Sequence, residues 1–501
     1  MNENQILTQK VAKGTLLVFI GNIMHLLLVL VSHGLIARLV SKEDFGYLSL
    51  SLGISMMLSI FCCLGCERSI PVFMHNKLQT NGASIISEGI LLSFVFSLLL
   101  TIAVTLFLYY FADQISALYK MPRLALSLKI MAFSIPFVTL GNLMVAYLQS
   151  YQDVWGKIFR DALSPLIRVV LIIGALLSEF TFLMLLWFHV FSFLIVAILL
   201  IMYARRRIID FRLRWAGYEI SRQLLMFSLP LFLGGILQVL FLWTDIILLG
   251  FFCSPEEVAA YTTGNRLVRL LPMIYSSFGF IYLPITSQLY AQGKFEEIRN
   301  LYALIAKWTY ALTMPLFIVF YVTPDEIMNL CFGAKYAQDN LYFQVLCLGF
   351  FFFVLVGMTD TTLLAFGHTR LLLVCLVVTV VGNVGLDLIL IPMYGKLGAA
   401  ISSTISFSLS NLLCAIFVYR LFMIHALRKE NLKLLLFTIP VIVAAQLLKK
   451  YGIFNFNIAG AVLLSMVLVP LSFFVTNNFS AEDMMLLKMI RLKMAKKQSL
   501  P

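Results

Sequence analysis

The chain has 501 residues, of which 61% are hydrophobic and only 12% are charged, whereas a soluble domain carries about 25% charged residues. Together with apolar runs longer than about 18 residues from end to end, this deficit excludes a soluble protein and predicts a multi-pass membrane protein. The net charge of +13 indicates basic cytoplasmic loops rather than a nucleic-acid partner, because such loops collect Lys and Arg.

Apolar segments separated by turn signals predict an all-α protein with about fourteen transmembrane helices. The first run, over about residues 15–40, is long enough to span a bilayer, so a retained helix is expected rather than a signal peptide. The segments on one side carry roughly three times as many Lys and Arg residues as those on the other, which predicts cytoplasmic termini. The helix centres fall near residues 27, 56, 97, 138, 168, 192, 237, 272, 311, 354, 382, 410, 441 and 466.

The eight cysteines are scattered, most of them within apolar helices. Cys62, Cys63 and Cys66 form a CCxxC cluster, but no His or second Cys pair lies nearby, so packing is the expected role and no metal site is predicted. Cys253 and Cys331 fall in predicted outer loops, and the sequence is compatible with a disulfide between them as well as with two free thiols.

A shift of 213 residues superimposes the first predicted helix and its exit loop on the seventh. The loops SKEDFGY and SPEEVAAY then match as helix N-caps with acidic first turns, with Ser41 over Ser254 and Glu43 over Glu256. Parallel six-helix repeats joined by a basic connector are a transporter architecture with the substrate between two bundles. The predicted units are an N-terminal bundle (1–204), a basic connector (205–223), a C-terminal bundle (224–427), two extra helices (428–476) and a basic cytoplasmic tail (477–501).

Four stretches carry a resemblance to a known family. The opening KGTLLVFIGNIMHLLLVLVSHGLIARLVSKEDFGYLSL (13–50) is similar to the first helix and loop of the polysaccharide branch of the multidrug/oligosaccharidyl-lipid/polysaccharide (MOP) exporters. FSLPLFLGGILQVLFLWTDIILLG (227–250), CFGAKYAQ (331–338) and MYGKLGAAISSTIS (393–406) agree with that branch. The resemblance covers roughly residues 8–425.

The resemblance implies a MATE-like, two-bundle fold in a bacterial or archaeal cytoplasmic membrane. It also implies a Wzx-type flippase that moves polyprenyl-diphosphate-linked oligosaccharide from the inner to the outer leaflet. Polysaccharide polymerase and chain-length proteins are the partners that follow from it, besides membrane lipid. No cofactor is implied.

Two arginines in predicted helix eight are the main candidate site. At 100° per residue, Thr262, Arg266, Arg269, Met273 and Ser277 share one stripe. Each arginine near the bilayer centre costs about 2.5–3.5 kcal/mol on insertion scales, so the stripe should face the interior of the bundle. A guanidinium group suits a diphosphate because it is always charged and donates in pairs. The alternative is that both side chains snorkel to outer headgroups.

Other ionisable residues within predicted helices extend this site. Arg168, in predicted helix five, and Arg68, near the inner end of helix two, are further headgroup candidates, although Arg68 is equally consistent with pairing to Glu67. The candidates for charge balance or ion coupling are Asp245, with Arg266 as a partner, Asp360 and His25.

Competing functions are weighed by what the chain lacks. There is no GxxxxGK[ST], HExxH or GxSxG motif, and no large soluble segment of the kind a polymerase or ligase would need, so no enzyme is predicted. An ion-coupled drug or cation exporter of the same superfamily is the main alternative. That alternative predicts an acid-rich cavity, whereas arginines outweigh acids at the candidate site.

Overall fold

The computed structural model describes residues 3–81, 83–151, 153–175, 180–207, 218–424 and 439–475, the last range with gaps at 441, 444, 448 and 450–456. All regular secondary structure in these ranges is helical, which confirms the predicted all-α class. The α-helices are α1 (Glu3–Leu39), α2 (Lys42–Cys62), α3 (Cys66–Asn81), α4 (Ala83–Tyr110), α5 (Ala112–Leu118), α6 (Leu124–Ala132), α7 (Ser134–Ser150), α8 (Trp155–Ala175), α9 (Phe182–Arg207), α10 (Tyr218–Phe252), α11 (Pro255–Val268), α12 (Leu270–Ala291), α13 (Phe295–Val322), α14 (Pro324–Phe332), α15 (Leu341–Leu355), α16 (Thr359–Ala365), α17 (Thr369–Tyr394), α18 (Lys396–Phe422) and α19 (Ile458–Val475), and a 3-10 helix covers Ala334–Tyr336.

The described helices include nine that are long and apolar enough to cross a membrane, or up to eleven if each bent pair is one span. The bent pairs are α4 with α5, at 58°, and α6 with α7, at 40°. Helix α8 is less apolar because it carries Lys157, Arg160, Asp161 and Arg168. A multi-pass protein is therefore confirmed, whereas the total of fourteen spans stays a prediction. Most of the predicted connector (208–217) and the whole tail (477–501) lie outside the described residues.

The nine helices α1–α9 are followed by nine more, α10–α18. Each series begins with one long helix, of 37 and 35 residues respectively. The two predicted N-caps coincide with helix starts. Ser41 precedes α2, and its hydroxyl accepts from the Asp44 amide at 3.0 Å. Ser254 precedes α11 in the same extended conformation but makes no side-chain hydrogen bond, and Pro255 occupies the first position of that helix. The two bundles are called below the N-terminal half and the C-terminal half.

Predicted helix eight is not one continuous helix. The structure divides it into α11 and α12 at Arg269. Pro272, three residues further on, has no amide hydrogen to donate to the Val268 carbonyl, which accounts for the interruption. The two segments together still form one candidate membrane span, Pro255–Ala291.

The two halves touch closely on the predicted outer side. A Cβ atom added to Gly46 of α2 would lie 1.9 Å from the Pro255 carbonyl oxygen of α11, and one added to Gly34 of α1 would lie 2.7 Å from the Cys331 carbonyl oxygen. Arg38 of α1 donates to the Leu330 carbonyl near the end of α14, and Lys335 donates to the Val40 carbonyl just after α1. Each half thus places a cation at a helix C-terminus of the other half, which stabilises this contact.

A second contact between the halves lies on the predicted inner side, where α3 packs on α10. Gly65 has φ of +75°, and its backbone approaches the Ser228 carbonyl so closely that an added Cβ would lie 2.6 Å from that oxygen. The Ser69 and Ser228 hydroxyls are 2.5 Å apart. The cavity described next lies between these two contacts, where α1, α10 and α11 face one another.

The cysteines are free thiols in the structure. Cys62, Cys63 and Cys66 are buried, consistent with packing. Cys253 and Cys331 do not form a disulfide, which leaves the thiol alternative. Among the described residues, no group of three or more His, Cys, Asp or Glu side chains could hold a metal ion.

Candidate functional site

A cavity with two compartments lies between the halves. The first compartment, of about 290 Å³, is lined by α1, α10 and α11. The second, of about 330 Å³, is lined mainly by α1, α2, α7, α8 and α9 of the N-terminal half. The two compartments adjoin, because four residues line both: His25, Val29, Trp243 and Arg266. Each volume is at the low end of the range of about 300–1,000 Å³ for small-molecule pockets.

Arg266 lies at the junction of the compartments. Its Nε atom is buried and has no hydrogen-bond partner among the described residues. Arg269 lines the first compartment, and its Nε donates to the Asn265 side-chain oxygen at 3.3 Å. Neither arginine has a carboxylate within ion-pair distance in the described part of the chain. Two guanidinium groups thus line one compartment, and neither is ion-paired with an acid in the described part of the chain.

Arg168 of α8 supplies a third cation to the second compartment. The residue is 5% exposed. Its guanidinium carbon lies 5.7 Å from the centre of the Phe193 ring, and its Nε is 3.4 Å from the Ser164 carbonyl oxygen. Aromatic faces attract such cations more strongly when water is excluded. The structure therefore brings together three of the four predicted headgroup arginines: Arg168, Arg266 and Arg269.

Arg68, the fourth, is not in the lining of either compartment. Its side chain is 41% exposed, lies 3.8 Å from Glu67 and donates to the Gln238 side-chain oxygen of α10. These contacts put it at the inner contact between α3 and α10.

Helix α8 also contributes polar groups that the sequence analysis did not select. Arg160 and Asp161 form an ion pair at 2.7 Å, and Arg160 donates to the Asn142 oxygen of α7 at 2.7 Å. His25 of α1 binds the Asp161 carbonyl through Nδ1 at 2.5 Å. The spacing of Arg160, Ser164 and Arg168, four residues apart, was the available signal, since such residues share a helix face.

The predicted acids lie in the C-terminal half, and neither forms an ion pair with an arginine among the described residues. Asp360 accepts from the Tyr275 hydroxyl and from the Thr361 amide. Asp245 is 5% exposed and accepts from the Tyr261 and Ser403 hydroxyls, rather than pairing with Arg266 as suggested from the sequence.

Asp245 has a second acid as its neighbour. Asp387 of α17 is fully buried, and its carboxyl group lies beside that of Asp245. Among the described residues, neither Asp387 oxygen has a hydrogen-bond partner, nor does Asp245 Oδ1. Two buried carboxylates in contact repel each other unless a proton or a cation lies between them.

These features define a class of protein: a multi-pass membrane transporter with two similar halves and a cationic central cavity. A family model described as "Polysaccharide biosynthesis protein" matches residues 35–339. That match covers more than half of the chain, and the chain belongs to this family.

Two curated relatives agree with the family. The chain is 24% identical over 203 residues to a probable low-salt glycan biosynthesis flippase, Agl15, of Haloferax volcanii, a match that covers 40% of the chain and 43% of that protein. It is 22% identical over 400 residues to a putative O-antigen transporter of Shigella flexneri, over 77% of the chain and 92% of that protein.

Two solved structures share the fold. The lipid II flippase MurJ, in an inward closed conformation, has a TM-score of 0.74 at 17% identity over 94% of this chain and 100% of that chain. An inward-facing multidrug resistance MATE family transporter of the MOP superfamily has a TM-score of 0.64 at 13% identity, over 80% and 94%. These likenesses confirm the predicted MATE-like fold.

Proposed function

We propose that this protein is a flippase that moves a polyprenyl-diphosphate-linked oligosaccharide from the cytoplasmic to the outer leaflet. The observation that carries the proposal is the lining of the first compartment by Arg266 and Arg269 without an ion-paired acid among the described residues. A diphosphate diester carries two negative charges, so two guanidinium groups balance it. The relatives named as a glycan flippase and an O-antigen transporter support the same substrate class.

The headgroup enters from the cytoplasm, and the diphosphate binds Arg266 and Arg269 in charge-assisted hydrogen bonds. Burying an anion is costly unless it is paired, and these arginines provide the pairing. The polyprenyl chain stays in lipid through a gap between the two halves. The halves then rock so that the outer contact opens and the inner contact closes, which is alternating access.

Coupling to an ion is proposed at the acids of the C-terminal half, with Asp245 as the principal residue and Asp387 as its neighbour. A proton or a monovalent cation held there would neutralise the pair, and its release would restore repulsion. Asp360 and His25 remain secondary candidates for charge balance.

The protein is proposed to act by transport alone, without catalysis and without a cofactor. The protein is proposed to lie in the cytoplasmic membrane, with both termini in the cytoplasm. A polymerase and chain-length proteins on the outer side would consume the delivered repeat unit. The N-terminal bundle (1–204) and the C-terminal bundle (224–427) are the proposed moving units.

The proposal is tested by native mass spectrometry of the detergent-purified protein, comparing wild type with Arg266→Ala/Arg269→Ala. We expect a polyprenyl-diphosphate sugar on the wild type and at least tenfold less on the variant, a loss of about 1.4 kcal/mol or more. Arg206→Ala is the matched control, because it removes an exposed arginine at the end of α9. Equal lipid on wild type and double variant would contradict the site, and its absence from both would favour the drug exporter.

Gly53→Ala should reduce substrate binding without touching a charged group. The added Cβ would lie 2.8 Å from the six-membered ring of Trp243, which must then shift, and this indole lines both compartments. We expect roughly tenfold weaker binding of undecaprenyl diphosphate in nanodiscs, which corresponds to about 1.4 kcal/mol. Gly53→Ala/Trp243→Phe should recover affinity, because the smaller ring leaves room. Unchanged binding by Gly53→Ala would show that the indole does not shape the site.

A further inference from the structure

The second compartment differs chemically from the first. Three of the residues that line it carry a buried polar atom with no hydrogen-bond partner among the described residues: Ser164 (Oγ), His33 (Nε2) and Arg266 (Nε). All three atoms are buried, and buried polar groups are normally paired. An unpaired set that lines a cavity indicates a polar occupant with matching groups.

The histidine restricts what that occupant is. His33 Nδ1 lies 2.9 Å from the Val29 carbonyl oxygen, which only accepts, so Nδ1 carries the hydrogen. In the neutral ring Nε2 is therefore an acceptor and needs a donor from the occupant. A diphosphate diester has no hydrogen to donate at neutral pH. A sugar hydroxyl or acetamido N–H does.

The other groups offer both donors and acceptors. Arg266 Nε is a donor, the Ser164 hydroxyl is either, and the Asp161 carboxylate, paired with Arg160, is an acceptor. Sugar hydroxyls also donate and accept, so they complement this mixture. The second compartment also contains Arg168 and the Arg160–Asp161 ion pair, whereas the first presents two guanidinium groups with no carboxylate in its lining.

Aromatic side chains complete the second compartment. Phe137, Phe193 and Trp243 are among its lining residues. The C–H groups on one face of a pyranose ring pack on aromatic rings, while its hydroxyls project sideways towards polar groups. Arg266 and Trp243 line both compartments, so a ligand that spans the junction would contact them with its phosphate and its first sugar.

Building on the proposed function, we infer that the second compartment is the binding subsite for the first sugar of the lipid-linked oligosaccharide. The His33 Nε2 atom accepts a hydrogen bond from this sugar, and the Ser164 hydroxyl is a second contact. The diphosphate remains in the first compartment. The N-terminal half thus recognises the sugar, whereas the C-terminal half supplies the two phosphate arginines.

The test compares the binding of two probes to the full-length protein in nanodiscs: undecaprenyl diphosphate, and undecaprenyl diphosphate that carries one N-acetylglucosamine. We expect the wild type to bind the sugar-bearing probe at least tenfold more tightly. His33→Phe and Ser164→Ala should each bind the sugar-free probe like the wild type and lose most of that preference. His189→Phe is the matched control, because His189 is also buried with an unpartnered Nε2 but does not line the compartment.

The outcomes separate the two proposals. Equal binding of both probes by the wild type would overturn the sugar subsite and leave the flippase proposal intact. Retention of the full preference by both variants would also overturn it. Failure of the wild type to bind either probe would count against the proposed function itself. Ser164→Ala removes one oxygen atom, so it keeps the test valid if His33→Phe does not fold.

Discussion

Gly46→Ala is expected to abolish most transport by separating the outer ends of the two halves. The added Cβ would lie 1.9 Å from the Pro255 carbonyl oxygen and 2.5 Å from its carbonyl carbon. These are backbone atoms at the start of α11, so they cannot rotate away as a side chain would. Overpacking by a methyl group costs about 1–3 kcal/mol. We therefore expect hydrogen exchange to accelerate over residues 42–50 and 255–262, and transport to fall at least tenfold.

Helix propensity works against this effect, which makes the prediction sharper. Gly46 lies within α2, and alanine favours a helix over glycine by roughly 0.8–1.0 kcal/mol. Loss of function would therefore come from the contact between α2 and α11. Gly382→Ala in α17 is the matched control, because nothing lies within 4 Å of the added Cβ there. Wild-type exchange and transport in Gly46→Ala would mean that this close contact has no role in the transport cycle.

The sequence was informative about the architecture because membrane burial leaves a strong pattern. Apolar runs and the Lys/Arg bias are visible in local stretches of sequence. The matching loops around Ser41 and Ser254 do begin corresponding helices, α2 and α11. The break at Arg269 was missed although Pro272 was visible, because hydropathy continues across it. Hydropathy alone does not distinguish a continuous span from an interrupted one.

The candidate site was only partly predictable, because it is assembled from helices distant in sequence. A charged residue within an apolar helix is conspicuous, so Arg168 and Arg266 could be selected. His33 and Trp243 were missed, since both are compatible with ordinary core packing. The expected pairing of Arg266 with Asp245 was wrong in detail. The hydroxyl of Tyr261, which lies on α11 five residues before Arg266, donates to Asp245 instead.

The buried acids and the two phosphate arginines all lie in the C-terminal half, and this has a mechanistic consequence. Helix α11 connects the two groups, because its Tyr261 donates to Asp245 of α10, while Arg266 lies five residues further along α11. Neutralising Asp245 would change the bond to Tyr261 and so the position of α11. The acids can therefore influence the arginines through one rigid element without contacting the substrate.

Asp387→Asn and Asp360→Asn should change thermal stability in opposite directions. At residue 387 the amide can donate to Asp245 Oδ1, which has no partner among the described residues, and the repulsion between the two carboxylates disappears. A hydrogen bond to a charged group contributes about 1.5–3 kcal/mol, so the melting temperature in detergent should rise. Asp360 already accepts from Tyr275 and Thr361. Charge-assisted bonds are roughly twice as strong as neutral ones, so the melting temperature should fall there.

Asp387→Asn should raise stability but impair ion-coupled transport. If the acid pair holds the coupling ion, Asp387→Asn will be more stable than the wild type, yet its flipping will no longer respond to an imposed proton or sodium gradient. Asp360→Asn should keep that response in reconstituted vesicles despite its lower melting temperature. If Asp387→Asn is more stable but its flipping still responds to the imposed gradient, the coupling ion does not bind at the acid pair. His25 is then the next residue to substitute. A lower melting temperature for Asp387→Asn would instead mean that a proton already satisfies the acid pair, since the substitution would then remove a bond that stabilises the fold.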